Sequence, residues 1–292
     1  MADIKIGTSG WTYPHWRGPF YPSGLRQRDE LGYLSEQLPT VEINGSFYSL
    51  QRPSSYQRWH DETPDDFVFA VKGGRYLTHL RKLTEVDTPL ANFLASGLLS
   101  LGAKLGPILW QLPASLPFHH DRIEAFFRLL PRTSGDAAEL AAGCDPTKFE
   151  RWSQQPVLAV DDRTRPLRHA IEVRHPSYQC DEFAALCGRY GVAIVLADTA
   201  GRWPWIDCPV TDFGYFRLHG SRELYASRYS DEELDSWVQR ITGWSQVAGM
   251  RNLWIYFDND AQAHAANDAM RLVKRVGPVC QRDDRADDGQ AR

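Results

Sequence analysis

The chain has 292 residues, 42% of them hydrophobic, and 33 basic against 37 acidic side chains give a formal net charge of −4. That apolar content suffices for a large core, and the length fits one eightfold β/α barrel, which takes about 250 residues. The acidic balance argues against a general polyanion-coating surface but not against a locally basic cleft, because net charge governs solubility and steering rather than individual sites.

In chain order, short apolar runs predict eight strands: residues 4–9, 40–44, 67–72, 108–111, 170–174, 193–198, 215–219 and 254–258. Apolar residues at helical spacing fill the intervals. Residues 29–38 carry Leu31, Leu34 and Leu38. Residues 89–105 place Leu90, Phe93, Leu94, Leu98 and Leu101 on one face, with Pro89 suited to a first turn. Residues 121–130 offer Ile123, Phe126, Phe127 and Leu130, and 182–190 supply Phe183, Leu186 and Tyr190. Ser230-Asp-Glu-Glu233 reads as a capping box before Leu234, Trp237, Val238 and Ile241, and 261–276 form a last helix. Such alternation implies parallel pairing through right-handed crossovers. The interval 112–168 is too long for one crossover and predicts an extra helical excursion, near 136–152, between strands 4 and 5. A doubly wound sheet would need a Gly-rich phosphate turn after strand 1, and Gly7-Thr-Ser-Gly10 is too short for one. The reading is α/β: a single (β/α)8 TIM barrel over residues 1–280, followed by a charged, disordered tail at 281–292.

Five cysteines (Cys144, Cys180, Cys187, Cys208 and Cys280) are odd in number and lack Cys-x-x-Cys spacing, which favours reduced thiols over a disulfide framework or structural zinc. The start lacks the apolar stretch of a signal peptide, and no run approaches the roughly 20 apolar residues of a membrane span. These features read as a cytoplasmic protein with no membrane partner.

Residues two apart on a strand share a face, and barrel active sites lie at the C-terminal strand ends. The expected inward set there is Ser9, Glu42, Asn44, Lys72, Gln111, Glu172, Arg174, Asp198, Arg217, His219 and Asp258. Burying such groups singly costs several kcal/mol each, so they must pair, bind an ion or bind a ligand. A self-satisfied plug would pair Glu42 with Lys72 and Glu172 with Arg174 and Arg217. A functional pocket explains the concentration better, since barrels elsewhere fill their layers with Val, Ile and Leu.

In that pocket Lys72, Arg174 and Arg217 suit a phosphate or carboxylate. Glu172, kept ionised by Arg174, is the expected general base, with Glu42 and Asp258 as further catalytic carboxylates. His219 is the expected proton shuttle. Ser9, Asn44, Gln111 and Asp198 would complete substrate binding, and Trp11 would offer an aromatic face. Trp16, Phe20 and Tyr21, among Gly18, Pro19 and Pro22, read instead as a small core that pins a loop. No cofactor is signalled. The oxygen-rich set Glu42, Glu172, Asp198 and Asp258 would suit magnesium or manganese over zinc, although no metal-binding spacing is present. Arg17, Arg26 and Arg28 add a basic stretch followed directly by Asp29 and Glu30.

The set Gly7-Thr-Ser-Gly-Trp11, Trp16-Arg-Gly-Pro-Phe-Tyr-Pro22, Val41-Glu-Ile-Asn44, Phe47-Tyr48, Thr78-His79, Gln111-Leu-Pro113, Ile171-Glu-Val-Arg-His175, Arg217-Leu-His-Gly220 and Tyr256-Phe-Asp-Asn259 resembles the YecE-like family, the domain of unknown function numbered seventy-two. The resemblance runs from about residue 4 to 276 and implies one barrel of triosephosphate-isomerase type, without naming a reaction. It adds Asn259 to the substrate-binding expectations. Phe257-Asp-Asn259 departs from the Phe-Asn-Asn associated with many relatives, and the extra carboxylate makes this site more acidic. Xylose-isomerase-like barrels are similar in architecture and include metal-dependent endonucleases, a fold-level analogy.

The expectation is an enzyme of hydrolase or lyase type acting on a phosphorylated or otherwise anionic small substrate. Three alternatives stay open: a nucleic-acid-processing, endonuclease-like barrel, a glycosidase pairing Glu42 with Glu172, and a non-catalytic binder of a small anion.

Overall fold

The apolar runs close into a parallel barrel, ordered β1 to β8 around the ring, in the computed structural model, which describes residues 2–280. The strands are β1 (Asp3–Ser9), β2 (Thr40–Ile43), β3 (Val68–Lys72), β4 (Leu105–Gln111), β5 (His169–Glu172), β6 (Val192–Asp198), β7 (Phe213–Leu218) and β8 (Asn252–Phe257). Pairing of β1 with β8, from Asp3 opposite Asn252 to Thr8 opposite Phe257, seals the ring. Gly7 permits close packing against β2, since a Cβ there would lie 2.0 Å from the Thr40 carbonyl oxygen. The tail expected at 281–292 lies outside the described residues.

The helices are α1 (Glu30–Ser35), α2 (Gly45–Tyr48), α3 (Pro53–Asp61), α4 (Asp87–Ala95), α5 (His120–Leu129), α6 (Ser134–Ala141), α7 (Thr147–Glu150), α8 (Asp181–Tyr190), α9 (Asp231–Ser245) and α10 (His264–Cys280). The capping box of α9 forms as the sequence predicts, with Ser230 and Glu233 each accepting the other's backbone N–H. The helix expected over 89–105 is cut in two. α4 ends at Ala95, and Gly97 turns the chain at φ 113° into a 3-10 segment, Leu98–Lys104. That positive φ suits glycine, and a Cβ would meet Pro53 Cα at 2.7 Å. The excursion between β4 and β5 is present but also divided. α6 starts from a second capping box, Thr133 with Asp136, and the short α7 follows it.

The barrel interior is packed by size complementarity. Trp254, Tyr256, Phe213 and Tyr215 point inward from β7 and β8, against Ala70, Leu109, Ala170, Ala193, Val195 and Ala197 from β3 to β6. Small residues on one wall make room for aromatic rings from the other. Above this layer the inward positions turn polar, and there the candidate site begins.

Candidate active site

One side chain organises the mouth. Arg217, fully buried at the end of β7, stands between three carboxylates contributed by β2, β5 and the end of β8. Its Nε and Nη2 donate to the two oxygens of Glu42 at 3.1 and 2.8 Å, a bidentate pairing. Its Nη1 donates to Glu172 at 2.6 Å and its Nη2 to Asp258 at 3.0 Å and to Ser9 Oγ at 2.9 Å. Glu42 is further held by the Tyr215 hydroxyl at 2.6 Å and by Ser9 Oγ. Ser9 in turn accepts from Asn44 at 2.8 Å. Glu172 also accepts from Arg174 Nε at 2.9 Å.

Burial alone would raise the Glu172 carboxyl, but Arg217, Arg174 and His219 outweigh it and hold the group well below the usual carboxylate range. For Asp258 burial is likewise overcome, by Arg217, His219 and Lys72. Groups held so firmly ionised make poor proton acceptors near neutral pH. The expected role of Glu172 as general base is therefore corrected: it anchors two arginines. With Glu42 and Glu172 both locked to Arg217, the paired-carboxylate glycosidase alternative loses its basis as well.

His219 joins the inward cluster as expected but does not line the cavity. It is wholly buried, its Nε2 lies 3.4 Å from Arg217 Nη1 and 3.6 Å from Glu172, its Nδ1 stands 2.9 Å from Asp258 without the alignment of a hydrogen bond, and its ring lies edge-on to Trp203 and Tyr225.

The open cavity above this layer has a volume of about 500 Å³ and is lined by Tyr13, Asn44, Phe47, Tyr48, Lys72, Arg75, His79, Leu80, Gln111, Arg174, Tyr225, Asp258 and Asp260. Its walls differ in charge. Lys72, Arg75, His79, Gln111 and Arg174 follow β3, β4 and β5, whereas Asp258, Asp260 and Tyr13 follow β8 and β1 on the opposite side of the ring. Arg174 is braced by its bond to Glu172, by the Tyr225 hydroxyl at 3.3 Å and by the Trp203 ring, 3.6 Å below its guanidinium.

His79 comes from a π-helical turn, Tyr76–Leu80, followed by positive φ at Lys82, Leu83 and Glu85. Strained backbone of this kind persists where surrounding structure over-determines it. Burial first, then Arg174, Lys72 and Arg75, lower the imidazole to about 4, so it is neutral at neutral pH. Burial first, and then the nearby Arg217 charge, bring Lys72 down to about 8 against the pull of Glu42, Asp258 and Glu172.

Of the expected substrate-binding residues, Asn44, Lys72, Gln111 and Arg174 line the cavity, as does Asp258 from the catalytic set. Ser9, Glu42, Glu172 and Arg217 form the layer beneath. Three residues are elsewhere. Asp198 is corrected to the outer face of β6, because Ala193, Val195 and Ala197 take the inward positions; it accepts from the Tyr229 hydroxyl at 2.9 Å. Asn259 alternates with Asp258 and so points outward, donating to the Ser227 carbonyl and to Asp268 at 3.0 Å each. Trp11 packs edge-on to Trp59 and borders a neighbouring hollow instead. Trp16, Phe20 and Tyr21 do form a buried loop core.

Residues missed by the sequence reading are Arg75, Tyr225, Asp260 and the side chain of His79. The first and last of these had a signal, since Gly73-Gly-Arg75 and Thr78-His79 follow directly on strand 3. Of the pairs a self-satisfied plug would make, Glu42–Lys72 is absent among the described residues, whereas Glu172 does pair with Arg174 and Arg217. Arg17, Arg26 and Arg28 each lie against Glu30 or Asp29. The magnesium or manganese set does not fit: the carboxylates converge on a guanidinium, Asp198 faces away, and no three His, Cys, Asp or Glu side chains are grouped as metal ligands among the described residues.

A family model described as a protein of unknown function, DUF72, matches residues 5–290. The UPF0759 protein YunF of Bacillus subtilis is 25% identical over 286 residues, covering 93% of this chain and 94% of that protein. The UPF0759 protein YecE of Escherichia coli K12 is 28% identical over 133 residues, 46% of this chain and 45% of that one. A crystal structure of a DUF72 family protein from Thermotoga maritima superimposes with a TM-score of 0.73 at 23% identity, over 94% of this chain and 99% of the other. That last likeness speaks to the fold. Among the described residues no helix is long and apolar enough to cross a membrane.

Proposed function

The chain belongs to the DUF72 family, a membership that assigns no reaction, and we propose that it is an enzyme of hydrolase or lyase type acting on a small phosphorylated or carboxylate-bearing substrate. The observation that carries this is the division of labour around Arg217. Glu42 and Glu172 are engaged below the cavity floor, Glu172 by both Arg217 and Arg174, so on the cavity wall Lys72 and Arg75 have no salt-bridge partner among the described residues and Arg174 shares its one carboxylate with Arg217. An anionic group docks there, with Arg174 preset by Glu172, Tyr225 and Trp203. The rest of the substrate extends towards Asp258, whose firmly ionised carboxylate orients a hydroxyl by accepting its hydrogen bond. Proton transfer falls to Lys72, the cavity group titrating nearest neutral pH.

The test is a thermal-shift series with inorganic phosphate, small phosphate esters and small carboxylates, on the parent and on Arg174→Ala. An anion at a hundred times its Kd adds about 2.7 kcal/mol to stability, and that shift should vanish in the variant. No shift with any of these anions, or a shift untouched by Arg174→Ala, would sink the reading. A shift with no turnover of any ester or carboxylate tested would make the protein a binder rather than an enzyme.

A further inference from the structure

Two lysines of this chain are almost equally buried, and their surroundings differ. Lys104, 4% exposed, donates to the His60 carbonyl at 2.6 Å, the Thr63 carbonyl at 2.7 Å and Thr63 Oγ1 at 3.3 Å. Lys72, 8% exposed, makes no side-chain hydrogen bond and no ion pair among the described residues. Its Nζ lies 4.5 Å from the centroid of the Phe47 ring, on the cavity wall. Glu42, the carboxylate that the plug reading assigned to it, is saturated by Arg217, Tyr215 and Ser9. Where Lys104 is fixed by three acceptors, the Lys72 Nζ has no protein acceptor among the described residues and opens onto the cavity, where a reacting group can approach it.

We infer that Lys72 is a nucleophile that condenses with the carbonyl group of a small aldehyde or ketone carrying a carboxylate or phosphate, the anionic end resting on Arg174. This rests on the reading of the cavity as an anion-processing site and adds the reacting group of its substrate. The Nζ lone pair adds to the carbonyl carbon while the C=O π pair moves to oxygen, which takes a proton. Nitrogen then loses a proton, the hydroxyl leaves as water with a second proton, the one the ammonium shed in becoming the amine, and a protonated C=N bond remains. No electrons are gained or lost overall, and one water is released. With Lys72 titrating at about 8, roughly a tenth of it is free amine at pH 7, about 300-fold more than for an ordinary lysine.

The experiment treats the full chain near pH 7 with glyoxylate, pyruvate or dihydroxyacetone phosphate in the presence of sodium cyanoborohydride, whose hydride reduces the C=N bond to a stable secondary amine. Peptide mass mapping then gives the labelling rate at each lysine. Lys72 should be labelled at least tenfold faster than the exposed Lys82, Lys148 and Lys274 with one of these probes. The two carboxylate probes and the phosphate probe separate the anion classes. Lys72→Arg should lose the fast label, and the mapping of the parent decides the matter even if that variant does not fold. Labelling of Lys72 no faster than the exposed lysines, while the same probes raise Tm, overturns the imine and leaves the anion site standing. No labelling and no Tm shift with any probe overturns both.

Discussion

Replacing Lys72 with methionine is expected to stabilise this protein at neutral pH, contrary to the usual result of altering a buried side chain. Free lysine titrates near 10.5 and Lys72 near 8, lowered by burial and by Arg217. The gap of about 2.5 pH units is worth about 3 kcal/mol. Below pH 8 both folded and unfolded chains carry the proton, and the folded state bears that whole cost. Between about 8 and 10.5 the unfolded chain holds a proton that the folded one lacks, so the parent's stability rises with pH until the cost is gone. Methionine keeps a stem of similar length and a favourable sulfur contact with Phe47. The gain for Lys72→Met should thus be about 3 kcal/mol, or about 5 °C in Tm for a domain of this size, at pH 7, and should shrink towards zero by about pH 10.5. Melts of both proteins from pH 6.5 to 10.5 measure this directly, because other titrations cancel in the difference. A variant less stable than the parent at pH 7, or a gain that does not change with pH, would refute the account of an ill-hosted ammonium.

The opposite sign is expected at Arg217. Arg217→Met leaves Glu42 buried without its cation and takes from Glu172 and Asp258 the charge they share, Glu172 keeping only Arg174, which should cost about 3–5 kcal/mol in urea denaturation; a loss under about 1 kcal/mol would mean that the cluster simply admits water. Because Glu172 and Asp258 are held well below the usual range, the stability they contribute is present above the unfolded carboxylate pKa of about 4 and is lost as pH falls below it. Glu172→Gln should therefore flatten the decline in stability between pH 5 and 3, and parallel acid limbs for parent and variant would contradict that.

Much of the fold is legible along the chain because it is local. The eight apolar runs, the capping box at Ser230 and the long interval between strands 4 and 5 each depend on residues near one another, and each appears where the sequence puts it. The barrel mouth is legible for the same reason: on β2, β5 and β7, polar residues two apart must share a face. The rule fails at Asp198, where Val192–Asp198 is apolar on both sides, as buried parallel strands are. Only the pairing of β6 with its neighbours decides that Ala197 faces inward beside Arg217. Asn259 is lost to the same alternation, one step beyond Asp258.

What the sequence could not decide is how charges divide among partners. Glu42 is 30 residues from Lys72 and 175 from Arg217, yet it pairs with the distant one. Ring closure sets β2 within reach of the long side chain from β7, across a space that small residues on β6 leave open. Composition and strand parity therefore determine which charged groups meet at the barrel mouth. Tertiary geometry alone decides that Arg217 takes the carboxylates and that Lys72 is left facing the cavity, because ion pairing depends on the few ångströms between side-chain ends and not on separation along the chain.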